Sequence, residues 1–427
     1  MAVQSTTILD PLFRQYDDKK LKPLFARSDG FLKEIKKFAS VVNVNQKGKV
    51  DTNHIRTHAG TSFSGPAPDY PVGASFVFDQ YHKYAVNQTR TLQIDDMTFD
   101  DLQRGGENSL WSVGQMIQEL VASLGEDRSQ HFAQANGTGA KATLTGSSTT
   151  TLLYGYTAPG GAAHKSHGTQ QLYPDVVYDI LTSAGALAHA SHENVTFSSV
   201  DYVNNTATPS SALGAAPANN SIIVTANSYN YGVRGLPYLI SGTKTGMWQG
   251  VSVTNKPEHQ SVHIDAGGAA ISVALHQKLA SKMKIRNRGK ATYKIVGPPN
   301  QNDSYRAIGW NFRRFTSADK AMDLEFDESR YSGNPFMDFF EIDTDRQYVL
   351  DMADFEIVQQ KEFGIISRNG QVWKEQVGAN STGKGSYYMN YGGADNLYIM
   401  TPKAHGVLLN LEVPSDSATV ANVFATS

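Results

Sequence analysis

The chain has 427 residues, with 38 lysines and arginines against 40 aspartates and glutamates, and therefore a net charge of −2. This balance gives no overall attraction to nucleic acid or to membranes. The absence of cysteine excludes a disulfide scaffold, thiolate catalysis and cysteine-based zinc sites. The length exceeds what one compact core usually holds, so we expect two or more lobes.

The first 50 residues are predicted to form a polar arm. The opening stretch MAVQSTTILDPLFRQYDDKK has no apolar core of the kind that a secretory signal needs, and no stretch of the chain approaches about 18 apolar residues. A short amphipathic helix is predicted from Phe31 to Phe38, with Phe31, Ile35 and Phe38 on its apolar face. Nine basic residues lie between Lys19 and Lys49. The arm is either a solvated segment, which the pattern favours, or a contact for an acidic neighbour or DNA.

Residues 51–107 are predicted to form an extended hairpin. GPAPDYP turns the chain, and in the stretch SFVFDQYHKYAVNQTRTLQID after it seven residues share one parity: Phe76, Phe78, His82, Tyr84, Val86, Leu92 and Ile94. The other arm is VVNVNQKGKVDTNHIRTHAGTSF. Because aliphatic residues are few, we expect the hairpin to be either disordered or stabilised by lying on another molecule. Deletion of Asn53–Thr89 is then expected to leave the lobes folded and to abolish assembly.

A long helix is predicted from Asn108 to Ala135, and the other parts are organised around it. Its apolar residues recur at helical spacing, and it would be about 40 Å long at 1.5 Å per residue. Asn108 and Ser109 are good first residues and Gly137 is a good stop. Its apolar stripe consists of Leu110, Val113, Ile117, Leu120 or Val121, and Leu124. Gly114 and Gly125 are the expected bend points.

Helices and strands alternate after this helix, which indicates an α+β lobe. We expect a helix from Pro174 in PDVVYDILTSAGALAHA, with Val176, Ile180, Leu181 and Leu187 on its apolar side. Further expected elements are a helix from Gly267 to Ile285, a strand in ATYKIVG, a helix in SYRAIGWNFRRF and a strand from Phe336 to Phe340. From Arg346, RQYVLDMADFEIVQQKEF and ADNLYIMTPKAHGVLLNLEV have strand composition.

Two charge blocks of opposite sign follow one another. Lys282 to Arg314 holds nine basic residues against Asp303, and Asp319 to Asp345 holds nine acidic residues against Lys320 and Arg330. If the blocks lie on opposite sides of one lobe, copies of the chain could associate head to tail into rings. The alternative is an ordinary mixed surface.

No sequence motif indicates a catalytic site, a cofactor-binding site or a metal site. GANSTGKG, from Gly378 to Gly385, departs from the phosphate-loop pattern at Gly385, where a Ser or Thr is required, and no helix is expected after it. Three groups have spacings seen in metal sites but lack the H-E-x-x-H pattern: His189 with His192 and Glu193, His54 with His58, and His164 with His167. The acidic residues Asp95, Asp96, Asp100, Asp101 and Asp127 form no recognisable acid–base arrangement. We therefore expect no catalytic, cofactor-binding or metal-binding residues.

The order of these parts resembles the major capsid protein of tailed double-stranded DNA phages, the Hong Kong 97-type fold. RQYVLDMADFEIVQQKEF resembles the strand pair that re-enters the peripheral domain of that family, and LYIMTPKAHGVLLNL, with Pro402 and Ala404, resembles its closing strand. YPDVVYDILTSAGALAHA and AAISVALHQKLASKM stand where the family has helices beside its axial sheet.

The resemblance implies six regions: an N-terminal arm (1–50), an extended loop (51–107), a peripheral domain with the spine helix (108–172), an axial domain (173–345), the returning strands of the peripheral domain (346–414) and a C-terminal tail (415–427). It also implies a structural protein without enzymatic activity. Copies would form the pentamers and hexamers of an icosahedral phage head that encloses double-stranded DNA.

The resemblance implies partners as well. These are other copies of the chain, a portal protein, a possible decoration or cement protein, and packaged DNA bound without sequence specificity; no membrane is involved. A separate scaffolding protein is expected, because the sequence from Met1 shows no cleavable scaffold segment. Lys47, Lys49 and Lys83 lie in or near the loop, yet no crosslink to asparagine is expected. The location would be the virion, assembled in the bacterial host cytoplasm. Two other functions remain open at this point, a secreted or surface β-rich carbohydrate-binding protein and a hydrolase built from dispersed acidic residues.

Overall fold

The computed structural model describes 30–43, 49–57, 77–95, 100, 107–144, 147–153, 156–157, 163–164, 172–174, 176–201, 206–240, 247–249, 251–253, 259–287, 293–310, 330–331, 334–367, 370–376 and 386–412. Five α-helices are present in these ranges: α1 Gly30–Phe38, α2 Glu107–Gln134, α3 Leu236–Leu239, α4 Val273–Asn287 and α5 Pro299–Trp310. No helix among the described residues is both long and apolar enough to cross a membrane.

The strands of the first half are β1 Ser40–Asn43, β2 Lys49–Thr57, β3 Val77–Tyr84, β4 Val86–Asp95, β5 Ala140–Thr143, β6 Leu152–Leu153, β7 Tyr156–Thr157, β8 Ala163–His164, β9 Tyr178–Leu181, β10 Phe197–Asp201 and β11 Thr206–Pro209. Those of the second half are β12 Ile222–Thr225, β13 Met247–Trp248, β14 Val251–Ser252, β15 Val262–Asp265, β16 Lys294–Gly297, β17 Arg330–Tyr331, β18 Asn334–Asp338, β19 Gln347–Leu350, β20 Phe355–Ile365, β21 Lys374–Gln376, β22 Ser386–Ile399 and β23 Gly406–Leu409.

Two larger sheets form the framework. The first has the order β1-β20-β22-β21, and β4 also pairs with β22. The second has the order β15-β23-β19-β16-β18-β17. Two three-stranded sheets, β5-β12-β9 and β10-β11-β6, and the pairs β2-β3, β7-β8 and β13-β14 complete the described strands. The segment 346–414 therefore enters both framework sheets, because β19 and β23 lie in the second while β20 and β22 lie in the first.

The spine helix is present as α2, one uninterrupted helix of 28 residues. It begins at Glu107, so Asn108 and Ser109 lie inside it, a difference within the usual uncertainty of helix ends. Val113, Ile117, Val121 and Leu124 are buried against Trp373, Met389 and Tyr391 of the first sheet. The predicted stripe is thus the face that packs on the returning strands.

The short helix α1 packs on the far end of the spine helix. Phe31, Leu32 and Ile35 are fully buried in one cluster with Phe132 of α2. Phe38, which was expected on this apolar face, is instead 44% exposed, and the ammonium of Lys294 lies 4.0 Å from the centre of its ring. Leu32 is buried in place of Phe38, because the buried residues of this helix lie between Phe31 and Ile35, little more than one helical turn.

The second arm of the predicted hairpin is part of the core, which corrects the expectation that the loop lies apart from it. β2 and β3 do pair as a hairpin, from Lys49 opposite Tyr84 to Thr57 opposite Val77. However, Tyr81 and Lys83 are each 1% exposed, and β4 pairs with β22 over its whole length. The strand is interrupted at Ala85, and the alternation of buried and exposed side chains changes phase there. A single period-two pattern from Phe76 to Ile94 does not predict this change.

The expected helix from Pro174 is wrong. β9 occupies this stretch and pairs with β12, with Ile180 opposite Ile223. Periodicity does not distinguish a short apolar run in a buried strand from one in a helix, and here all four residues of the strand are buried. The chain then turns at Gly185, whose φ of +83° is incompatible with a right-handed helix.

Two further helices begin at other residues than expected. α4 begins at Val273 rather than Gly267, because Gly267 and Gly268 have φ values of +61° and +82°. α5 begins at Pro299, since proline is well suited to the first turn of a helix. The predicted end of this helix after Trp310 lies outside the described residues, as does most of the acidic block.

Candidate functional site

The histidines with metal-like spacing form no metal site in the described part of the chain. Ala190–His192 is a short 3₁₀ helix, and Nδ1 of His189 lies 2.7 Å from Oγ of Ser191. Nε2 of the buried His192 donates a hydrogen bond of 2.9 Å to the carbonyl of Ala215. Among the described residues, no group of three or more His, Cys, Asp or Glu could hold a metal ion. His58, His167 and Gly378–Gly385 lie outside the described residues.

A cavity of about 850 Å³ lies between the spine helix, β4 and the start of β5. Seven consecutive residues, Val86 to Leu92, form one wall, and one face of α2 from Met116 to Ala135 forms another. Part of its polar lining is a cluster that we call the seam cluster: Gln88, Arg90, Asp127, His131, Lys141 and Tyr173. Of these, only Asp127 was noted in the sequence, because the others converge from distant segments.

Asp127 is the centre of the seam cluster. Its Oδ2 accepts a hydrogen bond of 2.6 Å from Nη2 of Arg90, and its Oδ1 accepts one of 2.7 Å from the hydroxyl of Tyr173. The guanidinium of Arg90 also lies 4.7 Å from the centre of the Tyr173 ring. One carboxylate of the spine helix therefore holds a strand of the first sheet and the loop before β9.

His131 continues the seam cluster one helical turn later. Its Nε2 contacts Nζ of Lys141, and its Nδ1 lies 3.4 Å from Oε1 of Gln88. Burial, together with the charge of Lys141, lowers the pKa of His131 to about 3. The imidazole is therefore neutral at neutral pH, and its Nε2 accepts a hydrogen bond from the lysine ammonium.

The charges of the seam cluster are suited to holding elements together. Burial lowers the pKa of Lys141 to about 8. Burial alone would raise the pKa of Asp127, but the neighbouring groups His131, Arg90 and Lys141 lower it. Because His131 is neutral, the lowering of this pKa comes from the charges of Arg90 and Lys141. The ionised Asp127 has both oxygens engaged, so it neither donates a proton nor acts as an available base. Asp127 therefore acts as a structural contact that joins the spine helix to β4 and to Tyr173.

A second buried ion pair fixes the same helix to the middle of the first sheet. Nη2 of Arg128 binds Oδ2 of Asp395, and the two residues are 2% and 1% exposed. Nε2 of Gln88 donates a hydrogen bond of 2.9 Å to the other oxygen of Asp395, and the guanidinium of Arg128 lies 3.7 Å from the centre of the Phe363 ring. The spine helix is thereby joined to β4, β20 and β22 at once.

Ion pairs also connect α1 to the second sheet. The two carboxylate oxygens of Glu34 accept hydrogen bonds from Lys294 of β16, at 2.7 Å, and from Lys37, at 2.6 Å. Burial by itself would raise the pKa of Glu34, but the two lysines outweigh it and lower the pKa. Oε1 of Glu341 accepts a hydrogen bond of 2.9 Å from Ser129 of the spine helix. Arm helix, spine helix and both sheets are therefore held at fixed relative positions.

The hairpin of β2 and β3 is the candidate contact surface that extends from this body. Within the described residues, β2 pairs only with β3. Its nine residues span about 30 Å at roughly 3.3 Å per residue. An isolated two-stranded ribbon is at best marginally stable in water. Contact with another surface would therefore stabilise this hairpin.

Comparison with known proteins gives structural relatives only. No family model matches the chain, and no curated protein matches it. The chain is similar to a solved structure described as the cyanophage A-1(L) capsid asymmetric unit, with a TM-score of 0.51 and 10% identity, over 88% of this chain and 92% of that one. The chain has the Hong Kong 97-type capsid fold. The predicted fold class is therefore confirmed.

Two other solved structures are more distant. One is the capsid of a native GTA particle, with a TM-score of 0.46 and 9% identity, over 88% of this chain and 90% of that one. The other is the capsid of the Myoviridae phage XM1, with a TM-score of 0.41 and 11% identity, over 90% and 92%. The fold assignment depends on the cyanophage structure alone.

Proposed function

We propose that this chain is the major capsid protein of a tailed double-stranded DNA phage. Copies would self-assemble into the pentamers and hexamers of an icosahedral head that encloses the DNA. The observation that carries the proposal is the fold shared with the cyanophage A-1(L) capsid over 88% of the chain. A fold can host different functions, so the arrangement of this chain's own residues has to support the same conclusion.

The internal contacts support a building block of fixed shape. Buried ion pairs such as Arg128–Asp395 connect the spine helix to the first sheet, while Glu34–Lys294 connects the arm helix to the second. Polar groups of the seam cluster, which lines the cavity beside the spine helix, are engaged with one another. A structural rather than an enzymatic role is consistent with this use of charge.

The six regions expected from the resemblance become part of this proposal, with two refinements. The arm would be 1–50, the loop 51–107, the peripheral domain 108–172 with 346–414, the axial domain 173–345 and the tail 415–427. We place the base of the loop before Tyr81, which is buried, and we assign β19 and β23 to the axial sheet, where they pair with β16 and β15.

The proposed partners follow from assembly. They are further copies of the chain, a scaffolding protein, a portal protein, a decoration or cement protein, and the packaged DNA as a polyanion that lines the interior. The proposed location is the virion, with assembly in the bacterial host cytoplasm. No cofactor is part of the proposal.

Electron microscopy of the purified protein, with and without a co-expressed scaffolding protein, tests the proposal. We expect closed shells, or tubes and free capsomers, in at least one of these conditions. A monodisperse monomer at all protein and salt concentrations in both preparations would overturn it.

A further inference from the structure

The outward side of α4 carries basic residues without partners. Lys278, Lys282 and Lys284 are all exposed. In the part of the chain that the structure describes, none of these three lysines forms an ion pair or a hydrogen bond. The helix contains no acidic residue. Among the described residues, therefore, no carboxylate competes for these three ammonium groups.

An apolar residue lies among these lysines. Ile285 is 79% exposed, and it follows Lys278 and Lys282 at seven and three residues, so the three share one side of the helix. The opposite side, with Leu279 and Met283, is buried in the second core. We call Lys278, Lys282, Lys284 and Ile285 the α4 basic face. A single exposed isoleucine is unremarkable by itself, but here it lies at the centre of a charged rim, as in many protein interfaces.

His263 of the neighbouring strand β15 is affected by the positive charges of this helix. The pKa of His263 is lowered, by burial first and then by the charges of Lys282 and Arg286. Asp265 acts in the opposite direction but does not outweigh them. Its Oδ1 is also engaged by the backbone of Gly267 and by Asn410. At His263, the positive charges of the helix therefore outweigh the one carboxylate.

The acidic block contains a segment with the complementary pattern. Residues 319–328 read DKAMDLEFDE, in which Met322, Leu324 and Phe326 alternate with Asp323, Glu325 and Asp327. In an extended chain, a period of two places the apolar residues on one side and the carboxylates on the other. The segment thus offers carboxylates for the lysines of the α4 basic face and apolar side chains for Ile285. A nucleic acid backbone offers negative charges but no apolar side chains.

We propose that the α4 basic face binds the acidic segment 319–328 of a second copy of this chain. This inference rests on the proposed assembly function for the choice of a second copy. A contact between two different surfaces of identical chains is head-to-tail, and such contacts close into rings when the rotation permits. The contact would therefore determine how neighbours associate around a capsomer centre.

A charge exchange between chains tests this contact. Variant A reverses the charge of the α4 basic face: Lys278→Glu, Lys282→Glu and Lys284→Glu. Variant B reverses the charge of the segment 319–328: Asp323→Lys, Glu325→Lys and Asp327→Lys. Variant C combines all six substitutions and so restores the wild-type net charge. Circular dichroism and a thermal melt of each unassembled chain establish that it is folded.

We expect variants A and B to be folded but unable to assemble alone, and variant C to form shells. We expect an equal mixture of A and B to form six-membered capsomers or tubes that contain both chains, because strict alternation closes a ring of six but not a ring of five. Shells from A alone or from B alone would overturn the proposal. If C assembles but the mixture does not, the contact lies within one chain, which also overturns it. If A fails while B assembles normally, the face binds another anion such as nucleic acid, and the contact with 319–328 is wrong.

A peptide measurement separates this inference from the assembly proposal. The probe is a labelled peptide of residues 319–328, and the receptor is full-length variant B, whose own segment cannot compete. We expect binding that weakens with salt and that is about tenfold weaker for variant C, because exposed charge pairs each contribute modestly. Equal binding to B and C would overturn the inference even if the wild-type protein forms shells. Specific binding in a protein that forms no shells would overturn only the assembly proposal.

Discussion

At the scale of single residues, this chain uses buried charge to fix geometry. Arg128 and Asp395 are removed from water almost completely, which is costly for each ion alone. The hydrogen bond from Gln88 and the ring of Phe363 supply the further contacts that such a pair needs. A pair of this kind contributes mainly to specificity, because it is satisfied in only one position of the spine helix on the sheet.

Replacing Asp395 by asparagine should therefore be strongly destabilising. The substitution leaves the Arg128 charge buried without its carboxylate, and we expect the free energy of unfolding to fall by about 3 kcal/mol. Asp303→Asn is the matched control, because its carboxylate also binds an arginine, Arg306, but is 67% exposed; its effect should stay below about 1 kcal/mol. Urea unfolding of the unassembled chain measures both. Equal losses would contradict this account of the buried pair.

The pH dependence of stability should contain a contribution from His131. Its pKa is about 3 in the folded protein and about 6.5 when unfolded, so the unfolded chain binds the proton first as the pH falls. The stabilisation is fully present above about pH 6.5 and is lost progressively towards pH 3, with a slope of up to about 1.4 kcal/mol per pH unit.

His131→Gln should reduce this loss between pH 7 and pH 5, measured as the shift of the urea midpoint. The residual slope would contain the contribution of His276, whose pKa is also lowered by burial, to about 4. His189→Gln, at an exposed position away from the seam cluster, is the control and should leave the slope unchanged. An unchanged slope for His131→Gln would contradict the assignment of a neutral, buried imidazole.

At the scale of elements, close approach of β4 and β22 makes the first sheet compact. β22 is 14 residues long and pairs with β4, β20 and β21. A Cβ atom at Gly392 would lie 2.3 Å from the backbone oxygen of Gln88. The backbone of β4 cannot move aside easily, because Asp395 and His131 hold the Gln88 side chain.

Gly392→Ala should thus destabilise the protein by about 1–3 kcal/mol through overpacking. Gly364 is its paired residue on β20, and a Cβ atom there would meet nothing within 4 Å. Gly364→Ala is therefore a matched control in the same sheet, with an expected effect within about 0.5 kcal/mol. Thermal melts of the two variants compare them directly. A larger loss of stability for Gly364→Ala would show that strand propensity, rather than the close approach of β4 and β22, determines the effect of the substitutions.

At the scale of the whole molecule, one core connects the parts. A single buried cluster includes Phe31 of the arm helix, Tyr81 of the hairpin base, Phe132 of the spine helix and Val407 near the end of the described chain. Parts that share a core do not move independently, in contrast to domains joined by a linker. The hairpin beyond Tyr81 is the exception, because its strands pair only with each other among the described residues.

Shortening this hairpin should therefore separate folding from assembly. Thr57 and Val77 are paired, so residues 58–76 can be replaced by an Asn-Gly turn without changing the register. We expect the thermal midpoint of the monomer to be unchanged and shell formation, seen by electron microscopy, to be lost. The longer deletion of Asn53–Thr89 should instead unfold the chain, because it removes Tyr81 and the first four residues of β4. Normal shells from the short deletion would contradict a role of the hairpin in assembly.

The sequence alone determined the parts with strong local patterns. The spine helix was predicted from its helical stripe, the hairpin from its alternation and its Pro/Gly turn, and the capsid fold from the order of the parts. Each of these depends on residues close together in the chain, where side-chain periodicity is set by the backbone itself.

Only the tertiary structure decided the rest. The stretch after Pro174 became a strand because β12 was available to pair with it, which no local pattern contains. The seam cluster could not be foreseen, because Arg90, Asp127 and Lys141 meet only after the spine helix has been placed beside β4. The sequence therefore determined the elements with strong local patterns and their order. Long-range packing determined the type of the remaining elements and which polar residues would be buried together.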